Sequence, residues 1–205
     1  MARKKKLLDR KDRIIEAADH LFHVYGLDKT TMEDIARESG IPRATVYLEF
    51  SGGKEEIMMT SIERYLFGLL DEMKKLAAQS VVTRVETLKQ AILHNVLSNR
   101  DRARNFQYSE AAIEQYGKRV RLEMKDFFQA RREFFQDLLQ QAAAKGEVPQ
   151  GYDYSRMVRL LEYGLLPFTP SLSNQLSRED LQRTSTAFFN LLLTGFAYSK
   201  PTDFM

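Results

Sequence analysis

The sequence predicts an all-α protein in two parts, a small three-helix head followed by a larger helical body. Apolar residues recur at a spacing near 3.6 from Ile14 to Ala197, whereas the period-two alternation of strands is weak throughout. Glycine and proline divide that pattern into nine segments of helical length. Between residues 31 and 50, TMEDIARESGIPRATVYLEF, two short amphipathic segments flank a glycine.

The first helix is expected from about Lys11, with Ile14, Ile15, Ala17, Ala18, Leu21 and Phe22 apolar and Gly26 beyond its end. The second begins at Thr31, whose hydroxyl can cap the orphan amides of the next turn, with Asp34 three positions on in the place of a capping-box acid. Ile35 and Ala36 form its buried stripe, and Gly40 can take the left-handed conformation that ends it. Ile41 plugs the turn, and Pro42 opens a third helix running to about Phe50, since its missing N–H is one a helix start leaves unpaired. Val46 and Phe50 lie four apart and face inward, which leaves Arg43, Ala44, Thr45, Tyr47 and Leu48 nearer the outer face.

This spacing is that of a helix-turn-helix, and the outer residues are chemically suited to a DNA groove. Arg43 can fork onto guanine O6 and N7, the Ala44 and Thr45 methyls can meet a thymine methyl, and the Tyr47 hydroxyl can reach a phosphate. Glu49 carries the wrong charge for phosphate and is expected to point away.

A fourth helix, about Lys54 to Ala78, connects head to body through a broad face of Ile57, Ile62, Leu66, Leu69, Leu70 and Met73. The fifth is expected from Thr83 to about Asn99, where the polar run SNRDRARN reads as its end. A sixth spans about Asn105 to Tyr116, Gly117 breaks the pattern, and a long seventh runs from Lys118 to Lys145, ended by Gly146. The eighth covers about Tyr154 to Leu166 before Pro167 and Pro170, and the ninth starts near Arg178 or Glu179 and ends before Pro201. The boundaries are therefore a basic arm over 1–9, a DNA-binding head over 10–53 with its motif at 31–50, and a body over 54–205.

Residues 10 to 65 resemble the DNA-binding domain of the Tet repressor family of bacterial transcriptional regulators. The resemblance rests on the first-helix residues above, Gly26, Thr30-Thr31, Ile35-Ala36, Gly40-Ile41, Thr45-Val46-Tyr47, Phe50 and Lys54-Glu55-Glu56-Ile57. Two places depart from the pattern. Ser51-Gly52-Gly53 is one residue longer than the usual link, which bears on how Lys54 meets phosphate. Pro42-Arg43-Ala44 replaces the usual serine, basic residue and glycine, so the base preference is this chain's own.

The resemblance implies a homodimer that represses from a palindromic double-stranded operator and is released by a small-molecule effector. It assigns DNA contacts to Thr31, Arg43, Ala44, Thr45, Tyr47 and Lys54. It places the dimer interface on the last two helices, for which Met157, Leu161, Leu165, Phe189, Leu192 and Phe196 are the apolar candidates. The middle of the body is rich in aromatic and semi-polar groups that suit a largely apolar effector pocket, with His94, Tyr108, Arg131 and Tyr163 as polar anchors and Phe128 as wall. Ordinary packing competes for each of these residues, because aromatic stripes at helical spacing fill cores.

Composition narrows the alternatives. In 205 residues, a 43% hydrophobic content is ample for a buried core. The net charge is only +3, but residues 1 to 13 hold seven Lys or Arg against Asp9 and Asp12, leaving that segment at +5 and the remainder at −2. Such an arm can lie along phosphates or enter a minor groove, and equally it can be a solvated tail. With no cysteine there is neither a disulfide nor a thiolate metal site, which suits a reducing cytoplasm. Only Leu7-Leu8 follows the basic start where a signal peptide needs an apolar core, and no stretch is long enough for a bilayer, so no membrane partner is expected.

No cofactor is expected either. Gly52-Gly53-Lys54 lacks the first glycine of a phosphate loop, and Glu55 stands where the metal-binding hydroxyl belongs. His20 and His23, with Glu16 one turn before, have a metal-compatible spacing but no fourth ligand. A helical enzyme or ligand carrier with a purely structural helix-turn-helix is the alternative, and no nucleophile elbow, metal dyad or dinucleotide fingerprint supports it.

Overall fold

The computed structural model describes residues 9–105, 110–165, 168 and 176–198, with side chains except at 110–113, 115 and 196–198. Among these residues it has nine helices and no strand: α1 Arg10–Tyr25, α2 Met32–Ser39, α3 Arg43–Glu49, α4 Gly53–Gln79, α5 Arg84–Asn105, α6 Glu110–Glu123, α7 Lys125–Ala144, α8 Tyr154–Leu165 and α9 Arg178–Tyr198.

Two boundaries differ from those the sequence predicts. The polar run at the end of α5 stays helical because its long side chains reach other helices: Arg100 Nη2 donates to the Leu176 carbonyl at 2.6 Å and Arg102 Nη2 to Ser61 Oγ at 2.7 Å. Gly117 lies inside α6, carried by Lys118–Glu114 and Arg119–Glu123 pairs one turn apart at 2.8 and 2.9 Å. The break falls instead at Met124, with φ −93° and ψ 41°.

In the head, the start of α1 and both ends of α2 are closed by named groups. Asp9 caps α1 by accepting from the Asp12 amide at 2.8 Å. At α2, Thr31 Oγ1 accepts from the Asp34 amide at 3.2 Å while Asp34 Oδ2 accepts from the Thr31 amide at 3.1 Å, a complete capping box. Gly40 ends α2 at φ 64°, a conformation a side chain would strain. Pro42 stands just outside α3, its carbonyl accepting from the Thr45 and Val46 amides at 2.8 and 3.0 Å. Arg13 of α1 donates to the Ser39 carbonyl at 2.6 Å, locking the turn against the first helix. Beneath these polar ties, Phe22, Ile35, Val46 and Phe50 are buried together.

Lys54, at the start of α4, turns back into the head. Its ammonium donates to the Leu27 carbonyl at 2.8 Å and the Thr30 carbonyl at 3.0 Å, two acceptors of the α1–α2 connection. It fixes the segment from which Thr31 launches α2.

The 27 residues of α4 span about 40 Å, so one helix serves both head and body. Its buried face runs from Ile57 and Met58 beside α1 to Leu70 and Met73 in the body, within one hydrophobic cluster reaching from Ile14 to Leu193. α5 packs against α4, α7 and α9, and α8 closes over α7. Where α8 meets α9, Gly164 makes room for Phe188: a Cβ there would stand 2.8 Å from the ring.

Polar links cross the neck as well. Asp19 of α1 accepts from the Ser61 hydroxyl of α4, and Arg102 of α5 donates to that same hydroxyl at 2.7 Å while stacking on the Tyr65 ring at 4.4 Å. Asp12 of α1 pairs with Arg64 of α4. Burial raises the Asp19 carboxyl above its ordinary range, an effect offset by the Ser61 hydrogen bond and by Arg102 and Arg64.

The head can be tested at both ends of the α1–α2 connection. The Thr31 hydrogen bonds hold the Asp34 carboxyl below its ordinary range. A lowered folded-state pKa means that the carboxylate's share of the box is present in full above the carboxylate range and is lost as pH falls through the folded value. Thr31→Ala should cost about 1 kcal/mol at pH 7 as a lost N-cap, and in denaturant melts the gap to wild type should narrow as pH falls below the ordinary carboxylate range, leaving the part due to the Thr31 bond from the Asp34 amide. Lys54→Met should cost about 1 to 2 kcal/mol by stranding two carbonyls. Unchanged stability, with only a shallower salt dependence of DNA binding, would assign Lys54 to phosphate instead.

Candidate functional site

The outward face of α3 is set by its inward one. Val46 and Phe50 anchor the helix in the head, so Arg43, Ala44, Tyr47 and Leu48 are exposed, Leu48 to 84%, and Thr45 is half-buried. Arg43 stacks over the Tyr47 ring at 5.6 Å and pairs through Nη1 with Glu33 Oε2 of α2 at 3.2 Å. Tyr47 first, and then Glu33, raise the guanidinium pKa, and like any arginine Arg43 is a cation on this face. Glu49 turns aside to Arg10 of α1 at 3.3 Å.

The six residues expected at DNA thus divide. Arg43, Ala44 and Tyr47 share an exposed strip one turn long, beside half-buried Thr45. Thr31 and Lys54 are engaged in architecture: the Thr31 hydroxyl donates to Asp34 Oδ2 at 2.6 Å in the capping box, and Lys54 holds two backbone carbonyls. Sequence reasoning missed Glu33, whose only sign was a second acid beside the capping residue. The histidines considered for metal are also placed: His20 Nδ1 lies 2.9 Å from Glu38 Oε1. Among the described residues no group of three or more potential ligands can hold a metal ion.

In the body, Arg131 of α7 is buried with its guanidinium 5.5, 5.1 and 6.0 Å from the rings of Phe127, Phe128 and Phe135. Glu162 of α8 is its counter-ion, at 3.3 Å from Arg131 Nη2 and 3.0 Å from Arg132 Nε. Burial lowers the Arg131 pKa and Glu162 acts against that shift. Arg131 Nε is buried without a hydrogen-bond partner. Two of the five expected effector contacts, Phe128 and Arg131, therefore come together. The others do not join them: His94 pairs with Glu72 between α4 and α5 at 3.1 Å, Tyr163 is 67% exposed on α8, and Tyr108 lies outside the described residues.

The residues expected at a dimer interface divide by exposure. Met157, Leu161, Leu165 and Phe189 are no more than 7% exposed within the single chain, because the apolar stripes of α8 and α9 pack onto their own body. Leu192 is half-buried, and the Phe196 side chain lies outside the description. Leu160, Tyr163 and Leu191 point outward on these two helices instead, Leu191 being 76% exposed.

Among the described residues no helix is long and apolar enough to cross a membrane. Residues 14–59, the head through the first turns of α4, match the family model described as bacterial regulatory proteins, tetR family. The HTH-type transcriptional regulator LmrA of Bacillus subtilis (strain 168) is 31% identical over 78 residues, 38% of this chain and 37% of LmrA. The chain thus spans well under two thirds of that relative. The uncharacterized HTH-type transcriptional regulator YfiR of the same organism is 33% identical over 142 residues, 67% of each chain. Among solved structures, FadR from Bacillus subtilis in complex with stearoyl-CoA shares the fold at a TM-score of 0.66 and 20% identity, covering 89% of this chain and 97% of FadR. The head that matches the model, and a relative that matches well into the body, agree on one assignment: the chain belongs to the tetR family of bacterial regulatory proteins, regulators of the helix-turn-helix type.

Proposed function

We propose that this protein is a homodimeric repressor that reads a palindromic operator through α3 and releases it when a small molecule occupies the body. The carrying observation is the division of α3, with Val46 and Phe50 locked into the head and Arg43, Ala44 and Tyr47 presented outward beside Thr45. One exposed turn reads few base pairs, so two heads about 34 to 36 Å apart are needed to meet successive major grooves. The second copy is assigned to the outward face of α8 and α9 marked by Leu160, Tyr163 and Leu191. Met157, Leu161, Leu165 and Phe189 support that face from beneath.

The effector is assigned to the α7–α8 region around Arg131 and Phe128, where an incompletely paired guanidinium lies among aromatic rings. FadR, of the same fold, holds stearoyl-CoA in its complex, and an apolar body with a polar head is the ligand chemistry this region suits. Release requires the effector to prefer one head arrangement over the other, and a coupling of about 1 to 3 kcal/mol loosens DNA roughly 5- to 150-fold.

Selection of genomic fragments by the purified protein should recover a palindrome, bound about a thousandfold more tightly than a scrambled duplex at fixed salt. Arg43→Ala should cost about 1 to 3 kcal/mol and relax preference at one base step per half-site. Binding that salt erases, without a preferred sequence, would refute the operator reading. Titration of the complex with apolar carboxylates, acyl thioesters and neutral apolar compounds should show one class lowering DNA affinity within that range, whereas no response to any class would leave a constitutive binder.

A further inference from the structure

Glu33 stands in the first turn of α2 but takes no part in capping, which Asp34 performs. Its carboxylate bridges instead to the first residue of α3, at 3.2 Å from Arg43 Nη1. Both side chains are more than half exposed, so this pair is easily broken and contributes little to the fold. Arg43 is also steered by Tyr47, over whose ring its guanidinium lies. The cation best placed to meet DNA is therefore held in one orientation by a carboxylate on the same exposed surface.

We propose that Glu33 is a specificity-determining residue that suppresses binding to non-operator DNA by competing for Arg43. The proposal rests on α3 being the helix that faces DNA. Any duplex offers phosphates, and a phosphate contact by Arg43 leaves Glu33 unpaired beside the backbone, where charges closer than the screening length of about 8 to 10 Å still repel. On random DNA that exchange replaces one ion pair with another and adds a repulsion. At the cognate step Glu33 engages only Nη1, so Nε and Nη2 are left to fork onto guanine O6 and N7 with the ion pair kept, a geometry that a phosphate oxygen does not supply. The carboxylate thus weakens both modes of binding and weakens the sequence-indifferent one more. Its effect is one of discrimination, as expected of a misplaced like charge at an interface.

Glu33→Gln keeps the shape and a hydrogen-bond acceptor for Arg43 while removing the charge, and the capping box stays intact. Glu33→Asp keeps the charge. Affinity of the full-length protein for a random duplex and for the selected fragment is measured at several salt concentrations for wild type, both variants and Arg43→Ala. Glu33→Gln is expected to tighten random-duplex binding about three- to tenfold and selected-fragment binding less than about twofold. Its salt dependence on random DNA should steepen by about one phosphate contact, and Glu33→Asp should stay near wild type. Equal factors on both duplexes, no change on either, or weaker binding by Glu33→Gln would overturn the gate while a normal Arg43→Ala defect preserves the reading of α3. If Arg43→Ala leaves both affinities unchanged, the reading of α3 fails and the gate with it.

Discussion

One helix belonging to two layers is the constraint on which the rest of the molecule depends. α4 begins at Gly53 in the head and ends at Gln79 in the body, and its apolar face joins the two into a single buried cluster. A helix of this length is stiff, so head and body cannot be repositioned independently without shearing that cluster. The Asp19–Ser61–Arg102 link reinforces the same neck by tying α1 directly to α5. Its members are a carboxylate whose ionisation burial disfavours, a hydroxyl, and a guanidinium stacked on Tyr65. Each is costly to bury unpartnered, and together they satisfy one another at a single relative placement of three helices.

The head shows how few apolar residues suffice when its turns are tied down. α2 has 8 residues and α3 has 7, lengths at which isolated helices do not hold in water. They persist because the Thr31–Asp34 box, Gly40, Arg13 on the Ser39 carbonyl and Lys54 on two further carbonyls leave little unpaired backbone at the turns. The geometry of the outward strip on α3 is thus inherited from residues that lie outside that strip.

Much of this was legible in the sequence, for identifiable reasons. Capping residues act within four positions, so Thr31, Asp34 and Gly40 announced α2 correctly, and the i, i+4 pair of Val46 and Phe50 fixed which side of α3 is free. What sequence alone did not resolve depends on distant partners. Arg100 and Arg102 read as a polar helix end until the Leu176 carbonyl and Ser61 receive them. Lys54 reads as a phosphate ligand until the chain folds back 27 residues to Leu27. Glu33 and Glu162 are unremarkable acids in a row of letters, and each becomes consequential only beside an arginine on another helix. The apolar residues of α8 and α9 read as interface because their number exceeds what a surface helix needs, yet counting cannot separate a second subunit from the helix's own core.

That last distinction bears on how the body is built. α8 carries two kinds of surface on one short helix. Met157, Val158, Leu161 and Leu165 close the core, Glu162 reaches the buried Arg131 of α7, and Leu160 and Tyr163 face outward. The guanidinium remains charged although burial lowers its pKa, so Glu162 cannot leave without stranding a cation among three phenylalanines. The Arg131–Glu162 pair therefore fixes the rotation of α8 about its axis, and with it the direction in which Leu160 and Tyr163 point. Gly164, with Phe188 of α9 packed against it, fixes the approach of the next helix. The interior charge pair and the outward apolar face are thus two readouts of one helix orientation, and a displacement of either must be felt at the other.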